Sequence, residues 1–328
     1  MRFSQQEKFE IIRMVEDSEL GVVRTLRELG INKSTFYKWY GNYLRKGFDG
    51  LAPKKRNSYW NPIPPRMREK VVGWALDNPE LSPRELACHI TDKHKYFISE
   101  SSVYRILKSR GLVTSPAYIV MKAADEFKDK TTAPNQMWQT DFTYFKIISW
   151  GWYYLSTVLD DYSRYIISWE LCSTMKATDV QRSLDKALED TGLVNQQFKP
   201  RLLSDNGSCY ISGELSEYLQ EKGIQHVRGK PHHPQTQGKI ERYHRSMKNV
   251  IKLDNYYSTG ELEQRLSEFI NYYNNHRYHE SLNNCTPADV YFGRHHRVLE
   301  KRQITKAKTM MKRRIQNQVK SVKPYLSY

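Results

Sequence analysis

Residues 137–148, M-W-Q-T-D-F-T-Y-F-K-I-I, decide the fold of this chain, because their aromatic and β-branched residues predict a long strand after a largely helical N-terminal part. The turn S-W-G-W and two further strand-like segments, 153–163 and 164–173, follow at hairpin spacing. Helical patterns then alternate with short strands at 200–204 and 224–227. The pattern predicts an α/β core with a mixed five-stranded sheet and flanking helices.

Three carboxylates stand at informative places in this predicted core. Asp141 lies inside the first strand among aromatic residues, where an acid is costly unless it is paired or bound to a metal ion. Asp205 follows an apolar pair at the exit of a short strand, and ligand sites of α/β sheets gather at strand ends. Glu241 comes 35 residues after Asp205. Three oxygen donors with few other protein ligands suit Mg²⁺ or Mn²⁺.

The stretch P-H-H-P-Q-T-Q-G-K-I-E-R, residues 231–242, delivers Glu241 to the first turn of a predicted helix. Arg245, Lys248 and Lys252 lie on the same side of that helix as Glu241. The face could therefore hold a metal ion at one end and DNA phosphates along its length. Two such ions, about 3.5–4 Å apart, can activate a water or a 3′-hydroxyl and stabilise the leaving oxygen.

Two polar pairs in the same part of the chain are not predicted to be catalytic or to bind a metal ion. Asp160-Asp161 ends the second strand, where turn acids that cap backbone N–H groups are more common than catalytic acids. His232-His233 has no Cys or His partner at zinc spacing, which favours a loop role near the substrate.

Residues 1–46 predict three short helices, with a capping-box pattern from Ser4 to Glu7, a stop at Gly30 and a third helix that Asn32 can cap. This arrangement is typical of a helix-turn-helix, although an ordinary helical hairpin is the alternative. Phe36 and Trp39 are expected to pack inward. The residues predicted to reach DNA are Ser34, Thr35 and Lys38.

A second helical set follows, with Ser82 and Glu85 as a capping pair and a last helix that ends at Gly111. We interpret it as a second helix-turn-helix, because two units in tandem suit a longer, bipartite DNA site. Its predicted DNA-contacting residues are Ser101, Ser102, Arg105 and Lys108.

Composition narrows the function classes. The formal net charge of +16 favours a polyanionic partner, most simply nucleic acid, and residues 294–328 carry 11 Lys or Arg and one acid. That basic segment lacks the periodicity to decide between a helix and a disordered arm. The four cysteines are scattered, which argues against a disulfide framework and fits a reducing compartment. A polar N-terminus and no apolar run of membrane length predict a cytoplasmic protein with no membrane partner.

The acids and their surroundings resemble a known family. Asp141, Asp205 and Glu241 match the D,D-35-E signature of retroviral integrases and bacterial insertion-sequence transposases. They stand in W-Q-T-D-F-T, L-S-D-N-G-S and H-P-Q-T-Q-G-K-I-E-R-Y-H-R. The later segment Y-N-N-H-R-Y-H-E-S-L-N-N-C-T-P-A-D-V-Y is similar to the insertion-sequence-three type of transposase, so the resemblance spans about 133–292.

The resemblance implies a ribonuclease-H-like catalytic core preceded by all-α helix-turn-helix domains. It implies that Asp141, Asp205 and Glu241 hold two Mg²⁺ or Mn²⁺ ions and catalyse phosphoryl transfer on DNA. It also implies that the loop at Gln235 and Gln237, with Lys239, approaches DNA beside the metal ions. The N-terminal region departs from retroviral integrases, because no His-His-Cys-Cys zinc module is present.

The expected organisation is a first helix-turn-helix (1–46), a linker (47–65), a second helix-turn-helix (66–115), a linker (116–132), the catalytic core (133–292) and a basic tail (293–328). The expected function is a DNA transposase that binds terminal inverted repeats of double-stranded DNA as a dimer or higher oligomer in the nucleoid. It would cleave them and join the 3′-hydroxyl ends to target DNA. A non-catalytic DNA-binding regulator and a hydrolysis-only nuclease are the alternatives. The sequence leaves open the repeat sequence, the target preference, copy-out or cut-and-paste, and a longer frameshift product.

Overall fold

The computed structural model describes residues 3, 5–18, 20–52, 61–112, 130–229 and 237–322 of the chain. Residues 319–322 are described by their backbone alone. It divides into two compact units, Met1–Pro62 and Ile63–Tyr328. No helix among these residues is both long and apolar enough to span a bilayer. The four cysteines are all free thiols.

The first unit consists of three helices, α1 (Gln5–Glu16), α2 (Val22–Glu28) and α3 (Lys33–Lys46). Phe36 is buried in their shared core and Trp39 packs against it, as the sequence predicts. Asn32 precedes α3, but its side chain makes no capping hydrogen bond. Residues 47–51, where composition suggests a linker, form a 3₁₀ turn whose Leu51 is 2% exposed within this core. Ser4 lies outside the described residues.

The second unit begins with another three helices, α4 (Pro65–Asp77), α5 (Pro83–Lys93) and α6 (Glu100–Ser109), around a separate apolar core. The predicted capping box is confirmed. The Ser82 side chain accepts a hydrogen bond from the backbone of Glu85, whose carboxylate accepts one from the Ser82 backbone. This box satisfies two of the free N–H groups at the start of α5.

The predicted mixed five-stranded sheet is confirmed. Its strands are β1 (Met137–Ile147), β2 (Gly151–Asp160), β3 (Ile166–Cys172), β4 (Arg201–Ser204) and β5 (His226–Arg228). The spatial order is β3-β2-β1-β4-β5. The first three strands are antiparallel, whereas β4 runs parallel to β1 and β5 parallel to β4.

Helices cover both faces of the sheet. On one face α10 (Gly238–Ile251) and α11 (Thr259–Asn275) pack against β1 and β2, and on the other α7 (Ala177–Asp190) and α9 (Gly213–Glu221) do so. The short helix α8 (Ser208–Ile211) packs beside α7 and α9, whereas the short helix α12 (Pro287–Tyr291) packs against α11.

The basic C-terminal segment forms a helix, α13 (His295–Val322), which settles the choice that the sequence leaves open. It packs on the α4–α6 helices. Arg302 makes a two-nitrogen contact with the Asp92 carboxylate, with distances of 2.8 and 2.6 Å. Arg313, which is 6% exposed, donates to the Tyr96 hydroxyl and the Phe97 carbonyl. Part of the basic charge of this segment therefore serves the fold.

Candidate active-site cleft

Two of the three predicted acids meet at the edge where β1 and β4 run parallel. The register pairs Gln139 with Leu203, so two further residues along each strand bring Asp141 beside Asp205. Because β4 ends at Ser204, β1 has no neighbouring strand at Asp141 on its β4 side, although it stays paired with β2 on the other. The two carboxylates therefore lie at an open end of the sheet, where ligand sites of such folds gather.

Local hydrogen bonds fix both acids. Asp141 Oδ1 accepts from the Phe142 backbone at 2.8 Å, and Asp205 Oδ1 accepts from the Gly207 backbone at 2.8 Å. A Cβ at position 207 would stand 2.9 Å from that Asp205 oxygen, which explains the glycine. Burial raises the pKa of Asp205, and the negative charge of Asp141 raises it further. A cation between the two acids would remove this repulsion.

Glu241 faces Asp141 across a cleft of about 700 Å³. It lies in the first turn of α10, whose Ile240, Tyr243 and Met247 are at most 1% exposed. Burial of this apolar stripe turns the opposite side of the helix into the cleft. Its charged lining comprises Asp141, Glu241, Arg245, Lys248 and Lys252, as the spacing of the last three predicts.

The cleft has acidic side chains at one end and basic side chains along one wall. Burial and the neighbouring Lys252 lower the pKa of Lys248. Among the described residues no three His, Cys, Asp or Glu side chains are grouped closely enough to hold a metal ion. The donor set still fits a hard divalent cation, because Asp141, Asp205 and Glu241 supply only carboxylate oxygens around accessible space. Glu241 would have to move toward the two aspartates to complete such a set.

His244 is a cleft residue that the sequence analysis missed. It follows Glu241 by three positions on α10, and its Nδ1 lies 3.3 Å from Asp141 Oδ2. The ring is 6% exposed, and its Nε2 has no hydrogen-bond partner among the described residues. Spacing of i and i+3 on one helix could have indicated that it shares the face of Glu241.

The start of α10 is fastened to β1 by amide side chains. Gln139, which is 1% exposed, accepts from the Ile240 backbone at 3.1 Å and donates to Asp161 at 2.7 Å. Gln237 is 7% exposed and lies 3.5 Å from the Thr140 carbonyl oxygen. These contacts fix the position of the first turn of α10, and therefore of Glu241, relative to β1. Gln235 lies outside the described residues.

Lys239 has a different environment from the one expected of a DNA contact. Its ammonium donates to the Asp161 carboxylate at 2.6 Å and to the Asp161 carbonyl at 3.0 Å. Burial lowers the pKa of Lys239, while Asp161 opposes that shift. The Lys239 ammonium is already paired with Asp161, so Arg245 and Lys248, which line the cleft, are better placed to bind phosphates.

The predicted DNA-contacting side chains of the helical domains lie on two separate units. Ser34 and Lys38 on α3 are exposed and Thr35 is half-buried. On α6, Ser101, Arg105 and Lys108 are exposed and Ser102 is half-buried. Each set occupies the polar side of the third helix of its group, opposite the buried residues.

Four family models match the chain. Residues 131–234 and 222–287 match two models described as integrase core domain. Residues 7–58 match a helix-turn-helix domain, and residues 35–107 match a homeodomain-like domain. The core models therefore cover Asp141, Asp205 and Glu241 between them.

Curated relatives and a solved structure are similar over parts of the chain. The transposase for insertion sequence element IS629 of Shigella sonnei is 27% identical over 56% of this chain and 62% of its own length. The transposase for insertion sequence element IS904 of Lactococcus lactis is 30% identical over 49% of this chain and 62% of its own length. The chain thus spans less than two thirds of these relatives. A chain of the simian T-cell lymphotropic virus intasome aligns at 20% identity over 66% of this chain and 72% of its own, with a TM-score of 0.44.

Proposed function

We propose that this chain, whose core matches two integrase core models and whose N-terminal part matches helix-turn-helix models, acts as a DNA transposase of the integrase superfamily. The observation that carries the proposal is the placing of two carboxylates and a basic wall in one cleft. Asp141 and Glu241 line it at one end, and Arg245, Lys248 and Lys252 continue it. Asp205 adjoins Asp141 through the strand register.

Asp141, Asp205 and Glu241 are the proposed ligands of Mg²⁺ or Mn²⁺, with two ions in each site. Such ions, when bound, stabilise the charge on the attacking and leaving oxygens of an in-line displacement at phosphorus. The three basic side chains bind backbone phosphates and hold the DNA end along the cleft. His244 holds the Asp141 carboxylate in its orientation through its Nδ1.

Two displacements at phosphorus make up the proposed reaction. Water first attacks the phosphodiester at the element end, and the bond to the 3′-oxygen breaks to leave a 3′-hydroxyl. That hydroxyl then attacks a target phosphodiester, and the displaced 3′-oxygen takes up a proton. The helix-turn-helix domains recognise terminal inverted repeats through the polar sides of α3 and α6. Both ends must be held together, so we propose a dimer or higher assembly on DNA.

The test mixes purified protein, Mg²⁺, labelled duplexes from the ends that flank its own gene, and plasmid. Strand transfer into the plasmid is the expected product. Asp141→Asn, Asp205→Asn and Glu241→Gln should each lower it about 100-fold or more, since loss of one group that stabilises transition-state charge costs on this order. Duplex binding should not weaken, because these acids repel rather than attract phosphates.

Glu217→Gln is the matched control, because Glu217 is an exposed acid on α9 outside the cleft lining. It should retain wild-type strand transfer. Hydrolysis without joining in the wild type would replace the transposase with a nuclease. Binding of the ends with neither product would identify a regulator instead.

A further inference from the structure

Three exposed aromatic side chains lie near the end of the β1–β2 hairpin, two of them in ring contact. Tyr144 is 48% exposed, Trp150 61% and Trp152 53%. We call these three residues the hairpin platform. Large exposed aromatic groups that lie together on a surface mark an interaction site more often than scattered ones do. Neither the proposed chemistry nor the fold uses them, because the buried side of this hairpin is formed by Phe145, Ile147 and their neighbours.

The platform is rigidly supported. Tyr144 and Trp152 contact each other edge to face, with ring centroids 5.4 Å apart. The hairpin turn needs positive φ at Ser149 (66°) and Gly151 (99°). The Ile148 backbone N–H donates to the Tyr256 carbonyl at 2.9 Å, and Tyr256 is itself 7% exposed in the core. The turn that carries Trp150 is thus tied to the segment after α10.

Positive charge adjoins the platform on the side of the active-site cleft. The ammonium of Lys248 lies 4.5 Å from the centroid of the Tyr144 ring, and that of Lys252 lies 5.7 Å from it. Both lysines line the cleft that contains Asp141 and Glu241. Within the described part of the chain, no carboxylate lies at ion-pair distance from either lysine. The Tyr144–Trp152 ring pair and the phosphate-binding wall therefore form one continuous surface.

This combination suits DNA that has lost its base pairing. In a duplex the faces of the bases are already stacked, so exposed rings beside a basic track gain most from an unpaired base. Glu241 and Lys248 are seven residues apart on α10, about 10 Å at 1.5 Å per residue. That length corresponds to about three nucleotides at 3.4 Å each along one strand.

On the premise of the proposed function, we infer that the hairpin platform stacks an unpaired base of the DNA end, two or three nucleotides from the phosphate held at the acids. The platform opens the terminal base pairs by offering an alternative stacking partner. A second copy of this chain is a poorer occupant. A two-fold contact centred on this surface would place the patch that carries Lys146, Lys248 and Lys252 against the same positively charged patch of the second copy, and like charges placed together oppose association.

The test compares two fluorescein-labelled duplexes of equal length. One is fully paired, and the other has mismatches at its three terminal pairs, so both carry the same number of phosphates. Wild-type protein should bind the mismatched end more tightly. Trp152→Ala should weaken that binding about 5- to 150-fold, the range expected for one stacked base, and change binding of the paired duplex less than about twofold.

Two variants separate stacking from structural damage. Trp152→Phe keeps an aromatic face and should restore most of the preference for the mismatched end. Phe198→Ala removes an equally exposed aromatic ring, 59% exposed, between α7 and β4 and outside the cleft lining, and should change neither affinity. Equal losses on both duplexes, or no loss on either, would overturn the inference. A fall in molar mass for Trp152→Ala in sedimentation would assign the surface to self-association instead.

Strand transfer measured in parallel distinguishes this inference from the proposed function. If the wild type joins ends but shows no preference for mismatched ends, the stacking role of the hairpin platform is refuted and the proposed transposase function is retained. A preference for mismatched ends that Trp152→Ala removes, without joining, would support the platform and refute the transposase.

Discussion

The acids at the end of β2 and the acids of the candidate active site have opposite surroundings. Asp160 and Asp161, at the end of β2, are 0% and 3% exposed. Asp160 accepts hydrogen bonds from the Asn135 backbone and from the backbone and hydroxyl of Ser163, at 2.6–2.8 Å. Asp161 accepts from side chains of Gln139, Thr131 and Lys239. All four carboxylate oxygens are occupied.

The acids of the candidate active site have carboxylate oxygens that fewer protein groups contact. Asp205 accepts one hydrogen bond, from Gly207, and Asp141 is held by the Phe142 backbone and His244. Within the described ranges, no hydrogen bond or ion pair reaches the Glu241 carboxylate. Filled oxygens make an acid a part of the framework, whereas unfilled oxygens in a solvent-accessible cleft remain free to bind a cation.

One of the buried acids also supports the position of a candidate-site acid. Asp161 binds Lys239, and Gln139 joins Asp161 to the backbone of Ile240. Both contacts lie in the first turn of α10, next to Glu241. Asp161 therefore helps to set the position of the helix that presents Glu241.

The largest expected effect is on stability, and it should fall on one group of acids alone. Asp161→Ala leaves the Lys239 ammonium with only the backbone carbonyl of residue 161 and leaves the Gln139 amide without its acceptor, so we expect a loss of about 3 kcal/mol in the free energy of unfolding. We place it at the lower end of the range for buried pairs because the Lys239 side chain is 32% exposed. Asp205→Asn should change stability by no more than about 0.5 kcal/mol. Urea denaturation measures both.

A double variant checks the cause of that loss. Lys239→Met combined with Asp161→Ala removes both charges, and it should cost less than the sum of the single changes because neither partner is left unpaired. Additive losses would mean that the two side chains do not act as a pair.

An intermediate effect is expected at His244, which contacts Asp141 of the candidate active site. His244→Leu should lower strand transfer about 10-fold, in line with losses of supporting contacts to ligand side chains. His244→Asn retains a donor near Asp141 and should recover much of the rate. Comparable loss in both variants, with unchanged thermal unfolding, would show that the contact at 3.3 Å does not position Asp141.

Much of the fold could be predicted because its strands and helices have strong local signals. Aromatic and β-branched residues identify β1 to β3, and the capping box at Ser82 identifies the start of α5. The strand order could not be predicted in this way, because it depends on the pairing of β1 with β4 across α7. Spacing alone does not specify which distant segments pair.

The candidate site was predictable to the level of residue type and not of environment. The pattern identifies Asp141, Asp205 and Glu241 as acids and interprets Asp160-Asp161 as structural, in agreement with the hydrogen bonds of the latter. Lys239 and Lys248 look alike in sequence. One is buried against Asp161 and the other lines the cleft, because the face of α10 decides which of them meets the sheet.

The smallest effect concerns pH and again separates the two groups. Burial raises the pKa of Asp160 above its ordinary value, although its hydrogen bonds oppose the shift. The folded state therefore binds a proton at Asp160 more readily than the unfolded state does, and the contribution of this group to stability falls as pH rises from about 4 through the raised pKa. Asp160→Asn cannot titrate, so the difference in unfolding free energy, wild type minus variant, should be larger at pH 4 than at pH 7. Urea denaturation of both proteins at the two pH values measures it. A difference that grows toward pH 7 would mean that the hydrogen bonds to Asp160 outweigh its burial, and that the acids at the end of β2 stabilise the fold as charged groups.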